Sequence, residues 1–525
     1  MDDSKSKKLT CQLKIGLVTN TVPWVQLLSQ IGVDYEKINL RKPDLIQHYS
    51  VIIVNEQPNR DALQVLRSYH EKGGALLDTG PYLRFLEGNV FVDRKLDQIL
   101  PSAEGPFHYV GRVDLHQTAT VYEKAQYLEN TVYLPEQGKN ERIGFLGWDL
   151  GEALLEYAAT RKSFYTEDYH EPNEIVSKVS RAPIRRTITE ILKRLHHARN
   201  LPFLHLSPIP DGKQRFFGFR VDTDYGTQEK LGELHELAVK HNISMSWFLH
   251  VEAHHDWLDY FHSFSDDQEI AVHGYRHQTY RSYDKNYENI EEAVRLLEDH
   301  SLDYRGFCAP YGLWNRGLQR AIEAWRFDYS SEFAFDYDNY PSSPLKKIGA
   351  SPVLQVPIHP LGVGRLQHAG ASHEQIFQYF QHVIDQQASR LEPVILYHHP
   401  EQAGISIFDK VFKNLQRDET SNKTMGEYAK WWRKRQQLRF EATYNKGKIT
   451  FQSHNGDHSH TALVFTEEDT YKSIKPDDNQ SLEQIADHKF NPETPLAVKR
   501  QQKESYYRYE LIKTGLLDFM HRMGG

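Results

Sequence analysis

In the first 80 residues, short apolar runs alternate with longer stretches whose apolar positions recur every three or four residues. Leu13 to Val18, Ser50 to Val54 and Ala75 to Leu77 have the runs of buried strands. Val22 to Ile31 and Arg60 to Lys72 have the spacing of amphipathic helices, and Gly73 and Gly74 end the second. Strand and helix in alternation predict a doubly wound, Rossmann-like parallel sheet. Residues 107–150 read as β-rich and end in I-G-F-L-G-W-D-L-G from Ile143 to Gly151. From Glu152 to Ala198 the pattern turns charged and helical, is broken at Pro172 and Pro183, and contains an amphipathic stretch from Ile184 to His197. The turn-rich S-P-I-P-D-G-K, Ser207 to Lys213, marks a boundary.

After Arg215 the alternation resumes. Helices are predicted over Leu231–His241, Ile290–His300, Leu318–Ala324 and His373–Ser389, and strands over Ser244–Leu249, Ile270–Val272, Tyr304–Phe307 and Pro393–Tyr397. Thr424 is placed to cap a helix from Met425 to Gln437 that carries Trp431 and Trp432. Arg439–Tyr444, Lys448–Ser453 and Thr461–Phe465 then alternate as short strands, the first two joined by the turn N-K-G-K. Val498 to Met520 reads as a basic, then apolar helix that docks on its own fold or on a second subunit. The expected division is an N-terminal sheet domain over 1–150, a helical connector over 151–208, a catalytic domain over 209–437, a small β appendage over 438–485 and a helical tail over 486–525.

Composition narrows the partners. The 525 residues are 39% hydrophobic and 26% charged, and the net charge of -8 gives no general attraction for nucleic acid. A mean hydropathy of -0.66 and the lack of any span-length apolar segment argue against a membrane-embedded chain. The N-terminus has no apolar stretch of a secretory leader, and two cysteines, Cys11 and Cys308, cannot build a disulfide framework. The expected location is the cytoplasm, with a homo-oligomer left open.

The candidate chemistry starts at R-V-D-T-D-Y-G, Arg220 to Gly226, which follows the apolar run Phe216 to Phe219. Strand alternation turns Asp222 and Asp224 the same way as the chain leaves the strand, so one can hold a metal while the other stays available as a base. His273 and His277, in H-G-Y-R-H after the strand Ile270–Val272, would stack on one face if the chain turned helical there. Each half alone is a common pattern in a chain with 28 histidines. The later run H-N-G-D-H-S-H, His454 to His460, is read as a hydrophilic loop.

With C-A-P-Y at Cys308 to Tyr311 and L-Y-H-H-P at Leu396 to Pro400, these motifs occur in the order found in polysaccharide deacetylases of the NodB-homology type, the family 4 carbohydrate esterases. Residues 216–400 resemble that family, with F-D-Y-S-S (Phe327 to Ser331) and Q-V-P-I-H-P (Gln355 to Pro360) between the motifs. The resemblance, joined to the alternation, implies a distorted (β/α) barrel of fewer than eight regular units. It implies Asp224, His273 and His277 as ligands of a divalent metal, zinc before cobalt, nickel or iron. It also implies Asp222 as base, His399 or, second, His398 as acid, and the backbone N–H of Tyr311 as an oxyanion donor. The expected reaction is hydrolysis of a non-peptide amide, N-deacetylation of an amino-sugar carbohydrate or its precursor. One departure stands out: the family's arginine before A-P-Y is Cys308 here, which leaves Asp222 without its partner unless a reshaped loop brings Arg305 in.

The run G-G-A-L-L-D-T-G resembles class I amidotransferase-like domains, but Asp78, Thr79 and Gly80 stand where the nucleophilic cysteine would be. No phosphate-cradling glycine motif follows the N-terminal strands, so a structural or binding role is expected there. Two other readings remain: a small-amide or ureide hydrolase on the same fold, and a catalytically degenerate sugar-binding protein.

Overall fold

The computed structural model describes residues 11–83, 90–134, 142–166, 171–346, 348–416, 418–454, 459–477, 479–500, 512–516, 518 and 519. It divides into two units, one of residues 1–153, 183–207 and 434–491, the other of 154–182, 208–433 and 492–525.

The second unit is built on a curled parallel sheet. Its strands in chain order are β1 (Arg215–Asp222), β2 (Ser246–Leu249), β3 (Glu269–Val272), β4 (Gly306–Phe307), β5 (Tyr329–Ser330), β6 (Leu354–Gln355), β7 (Val394–His398) and β8 (Thr420–Asn422). In space they run β6-β5-β4-β3-β2-β1-β7, with β8 on the start of β1, and every pairing is parallel. The result is a half-barrel, mixed with helices in the α/β manner.

Alternation along β1 separates two cores. Phe217, Phe219 and Val221 pack outward with Leu231, Leu234, Ile290, Leu318, Phe380 and Phe408 from the surrounding helices. Phe216 turns inward with Phe248, Ala271, Cys308, Tyr329 and Ile395, and this side is filled by Met425, Tyr428 and Trp432 of the helix Met425–Gln437. That helix starts in a reciprocal box: the Thr424 hydroxyl accepts from the Glu427 N–H (3.2 Å) while the Glu427 carboxylate accepts from the Thr424 N–H (3.0 Å). Thr227, Ser282, Asn315 and Ser372 cap four of the surrounding helices. A parallel sheet brings the C-terminal ends of all its strands to one edge, and that edge carries Asp222, His273, Cys308 and His398.

Two expectations about local structure need correction. Within the helical connector expected over 151–208, strands Ala159–Ser163 and Asn173–Ser177 form an antiparallel hairpin before the helix Arg181–His197. Their polar sequence hides the strand pattern because Lys162 and Glu174 are charged yet buried. The residues after Val272 are also not helical: 273–282 form a loop. Short helices over Val251–His254, Val363–His368 and Ile405–Asn414 add elements that the periodicity did not single out.

In the first unit, a six-stranded sheet has the order Tyr35–Lys37, Ile15–Leu17, Val51–Val54, Ala75–Asp78, Ile143–Leu146 and Val132–Tyr133. All neighbours pair in parallel except the last. The β-rich reading of 107–150 corresponds chiefly to Val113–Tyr122, which pairs with Phe91–Ile99, a strand outside that range.

The strands after residue 438 do not form an appendage of their own. Phe440–Asn445 pairs with Cys11–Gln12, and Ala462–Phe465 pairs with Phe203–Leu206, so strands far apart in sequence close two antiparallel sheets over one core. Leu13, Leu204, Leu206, Phe440, Ile449, Phe451 and Val464 fill that core. Pairing over such separations leaves no local signature. The tail expected over Val498–Met520 shows helix at Leu496–Lys499 and again over 512–516, with 501–511 outside the described residues; residues 455–458 of the histidine-rich run are outside them too. Among the described residues no helix is long and apolar enough to cross a membrane.

Candidate metal-dependent active site

Strand β1 delivers its last residue, Asp222, fully enclosed, and the chain then turns sharply. Asp224 has φ +39, and Thr223 ties the turn to the next strand by accepting from the His250 N–H (3.0 Å) and donating to the Phe248 carbonyl (3.1 Å). The two carboxylates have different partners. The Arg220 guanidinium, on the same face of β1 two residues earlier, grips Asp222 with Nε at 2.5 Å and Nη2 at 2.6 Å, and its Nη1 donates to the Ser331 carbonyl at 2.8 Å. Burial opposes ionisation of Asp222, but Arg220 outweighs it and holds the carboxyl below its ordinary value.

Arg220 answers the departure noted at Cys308. Arg305 is exposed and faces Asp328 at 3.6 Å, so it does not substitute. The base candidate has its guanidinium all the same, supplied by its own strand. The signal was present in R-V-D: an arginine two residues before an aspartate shares its strand face. Cys308 fills the space beside them, buried, with Sγ 3.5 Å from Asp222 Oδ1. Burial pushes its thiol well above the ordinary range, so it sits there as a neutral group.

Asp224 Oδ1 lies 3.2 Å from His273 Nε2 and 3.1 Å from His277 Nε2. A loop, rather than a helical turn, brings the imidazoles together. Gly274 has φ +92, and Asn289 braces the loop by accepting from the Arg276 N–H (2.7 Å) and donating to the Arg276 and Gln278 carbonyls (3.1 and 3.2 Å). His273 Nδ1 faces the Cys308 carbonyl at 2.9 Å. A carbonyl only accepts, so Nδ1 carries the proton and the Nε2 lone pair faces Asp224.

This donor set fits a divalent metal. Asp224 Oδ1 is buried with no satisfied hydrogen bond, although two ring nitrogens converge on it. Ligand atoms each about 2.0–2.2 Å from a shared cation stand roughly 3–3.5 Å apart, which matches the spacing here. Burial again opposes ionisation, yet Asp224 is held well below the usual carboxylate range, first by the His399 imidazole across the cavity. A second grouping, Asp222, His273 and Cys308, also lies within ligand reach. There Asp222 is committed to Arg220 and Cys308 is protonated, so the Asp224 grouping is the better site.

Across the cavity, His399 Nε2 lies 3.4 Å from Asp224 Oδ2 and 3.9 Å from Asp222 Oδ2. The Gly364 N–H donates to Gln402 Oε1 at 2.8 Å, which orients that amide so that its NH2 faces His399 Nδ1 at 3.2 Å. His399 Nδ1 therefore accepts, and its proton sits on Nε2, facing the carboxylates. Gln402 was not singled out in the sequence. His398 is placed elsewhere: its ring is fully buried beside Phe408, and burial depresses it to about 3. Tyr311, at φ +60 in the turn Pro310–Gly312, stands edge-on to His277 with ring centres 4.8 Å apart. The structure thus gathers Asp222, Asp224, His273, His277, Tyr311 and His399 and leaves out His398. All of them but the buried His273 line a cavity of about 280 Å³ whose wall continues through Phe333, Tyr397 and Glu401. Burial lifts Glu401 to about 7.

No family model matches the sequence, and no curated protein matches it. Among solved structures, a polysaccharide deacetylase from Mycobacterium smegmatis is similar over 44% of this chain and 96% of its own, at 16% identity and a TM-score of 0.37. Puue allantoinase is similar over 43% and 93%, at 14% identity and 0.38. A CE4 family pseudoenzyme from Bacillus anthracis is similar over 53% and 93%, at 14% identity and 0.32. At these values the functional assignment rests on the site itself.

Proposed function

We propose that the protein is a metal-dependent hydrolase of a non-peptide amide, most simply an N-deacetylase of an amino-sugar carbohydrate or its precursor. The observation that carries the reading is the division of labour between two neighbouring carboxylates. Asp224 faces two imidazole Nε2 atoms at 3.1 and 3.2 Å, while Asp222 is clamped by Arg220 and looks into the same cavity as His399. Asp224, His273 and His277 would hold the cation, zinc suiting their N/O set best with cobalt, nickel or iron as alternatives. A divalent ion there supplies Lewis acidity toward an amide carbonyl and toward water.

The remaining steps belong to the chain. Asp222 takes a proton from the attacking water as its oxygen bonds to the carbonyl carbon. His399 Nε2 passes its proton to the nitrogen as the C–N bond breaks. The proton that Asp222 took from water, its Oδ2 3.9 Å from Nε2, restores it, so that amine and carboxylate leave with His399 neutral and Asp222 ionised again. The backbone N–H of Tyr311 is assigned to the developing oxyanion because that residue stands in the cavity wall beside His277. The degenerate-binder reading stood on the arginine missing at Cys308 and on the expected cytoplasmic location, and Arg220 supports setting aside the first ground. The test is elemental analysis combined with acetate release from N-acetylated sugars, nucleotide sugars and short oligomers, with and without chelator. One metal per chain and chelator-sensitive release are expected. Metal bound without release from any of these would overturn the deacetylase assignment.

A further inference from the structure

The cavity wall away from the metal ligands holds an arrangement that the hydrolysis does not use. Arg365 lines the cavity and directs Nε (2.5 Å) and Nη2 (3.2 Å) to the two oxygens of Glu174. Its Nη1 points away from Glu174 and donates to Asp518 Oδ1 at 2.7 Å. The other oxygen of Asp518 accepts from Arg161 Nη2 at 2.5 Å, while Arg161 Nη1 is fixed by Asn173 Oδ1 at 2.7 Å. Two guanidinium groups on a folded framework therefore share one carboxylate, one N–H to each oxygen. Glu174 neutralises one of the two arginines, so the framework carries one positive charge that Asp518 balances.

In the segment that brings Asp518, the described apolar side chains Ile512, Leu516 and Phe519 are 63%, 60% and 61% exposed, and Asn173 Nδ2 donates to Thr514 Oγ1 at 3.1 Å. The Asp518, Arg161 and Arg365 side chains are 14%, 18% and 21% exposed, so the carboxylate cannot leave without a replacement, and only an anion that restores both N–H contacts can take its place. We infer that Arg161 and Arg365 form an oxyanion subsite in the substrate cavity, filled in this structure by the chain's own Asp518, and that the substrate carries a carboxylate or phosphate that takes its place. The word substrate rests on the reaction proposed above; the subsite itself does not.

The test is calorimetric titration of the full-length chain with glucuronate, glucose 6-phosphate and, as neutral comparator, glucose. Asp518→Asn should lower the Kd of at least one of the two anions tenfold or more relative to the unaltered chain. The anion that gains more identifies the oxyanion as carboxylate or phosphate. Adding Arg365→Gln, or separately Arg161→Gln, to Asp518→Asn should abolish the gain; two single-arginine variants are used because Arg365 also pairs with buried Glu174. Anion affinity within twofold of the unaltered chain, an equal gain for glucose, or a gain that survives both arginine replacements would overturn the subsite. No turnover is needed. Tightened anion binding without acetate release would therefore keep the subsite and discard the deacetylase, and the converse pair of results would do the opposite.

Discussion

Asp222 and Asp224 are two residues apart and line one cavity, so their different roles come from their neighbours. One is paired with a guanidinium, the other with imidazole nitrogens. Asp222→Asn should cut kcat by roughly 10²–10⁴-fold with metal content unchanged, since it removes the base and spares the ligands. His273→Ala should instead empty the site by elemental analysis; full occupancy would remove His273 from the ligand set. Arg220→Met leaves a buried carboxylate unpaired and should destabilise the fold by about 3–5 kcal/mol in urea titrations. Because Arg220 holds the Asp222 carboxyl down against burial, its loss raises that group, and the acid limb of kcat/KM moves to higher pH. An unmoved limb would show that Asp222 is not the base. At this scale the local motifs pointed to Asp222, Asp224, His273 and His277 together, but Arg220, in the same motif, was passed over because the family pattern directs attention to the position of Cys308. The sequence was not legible for Gln402, whose role depends on a backbone N–H of Gly364 38 residues away, nor in weighing His398 against His399, which only burial separates.

Elements position those residues, and the loop after β3 does so by an unusual backbone conformation. The loop after β3 needs Gly274 at φ +92, where an added Cβ would stand 2.9 Å from Asn289 Nδ2. Gly274→Ala forces a left-handed conformation that costs about 1–2 kcal/mol and pushes on the brace of the loop, so metal affinity should fall roughly tenfold by competition with a chromophoric chelator. Affinity equal to wild type would mean that the histidines are positioned without the loop. The expected helical stacking of His273 and His277 missed this because i, i+4 spacing also suits a loop closed by side-chain braces. In the other unit, Asp78 ends its strand buried and accepts from the Leu83 N–H (3.0 Å) and Gly80 N–H (3.4 Å). Burial raises its carboxyl from 3.8 to about 7. Between those values the folded chain keeps a proton that the unfolded chain releases, so stability falls as pH rises through this window and the loss is complete above it. Asp78→Asn cannot titrate. Relative to wild type it should gain roughly 2–4 kcal/mol between pH 4 and pH 8, read from urea midpoints at both; a pH-independent difference would mean that Asp78 ionises normally.

At the scale of the whole molecule, the legible part of the fold was the part whose partners are near in sequence. Most parallel strands of the half-barrel follow one another across helical connections, so periodicity found β1, β2, β3, β4 and β7, while β5 and β6, joined without a helix, went unread. In the antiparallel sheets of the other unit only strands after residue 438 were legible, because their partners are remote: Cys11–Gln12 meets Thr443–Tyr444 and Phe203–Leu206, expected within a helical connector, meets Ala462–Phe465. Cutting the chain after residue 437 separates the two pictures. A detachable appendage would leave the rest folded. In the observed pairing, the cut strips Phe440, Ile449, Phe451 and Val464 from a core they share with Leu13, Leu204 and Leu206. Each such side chain contributes about 1.5–3 kcal/mol on burial, so the four together approach the roughly 5–15 kcal/mol stability of an ordinary domain. The chain ending at 437 should therefore lose amide protection throughout Val51–Val54 and Ala75–Asp78 and collect in the insoluble fraction. Protection at those strands equal to that of the full chain would show that the sheet of the first unit stands without its C-terminal strands.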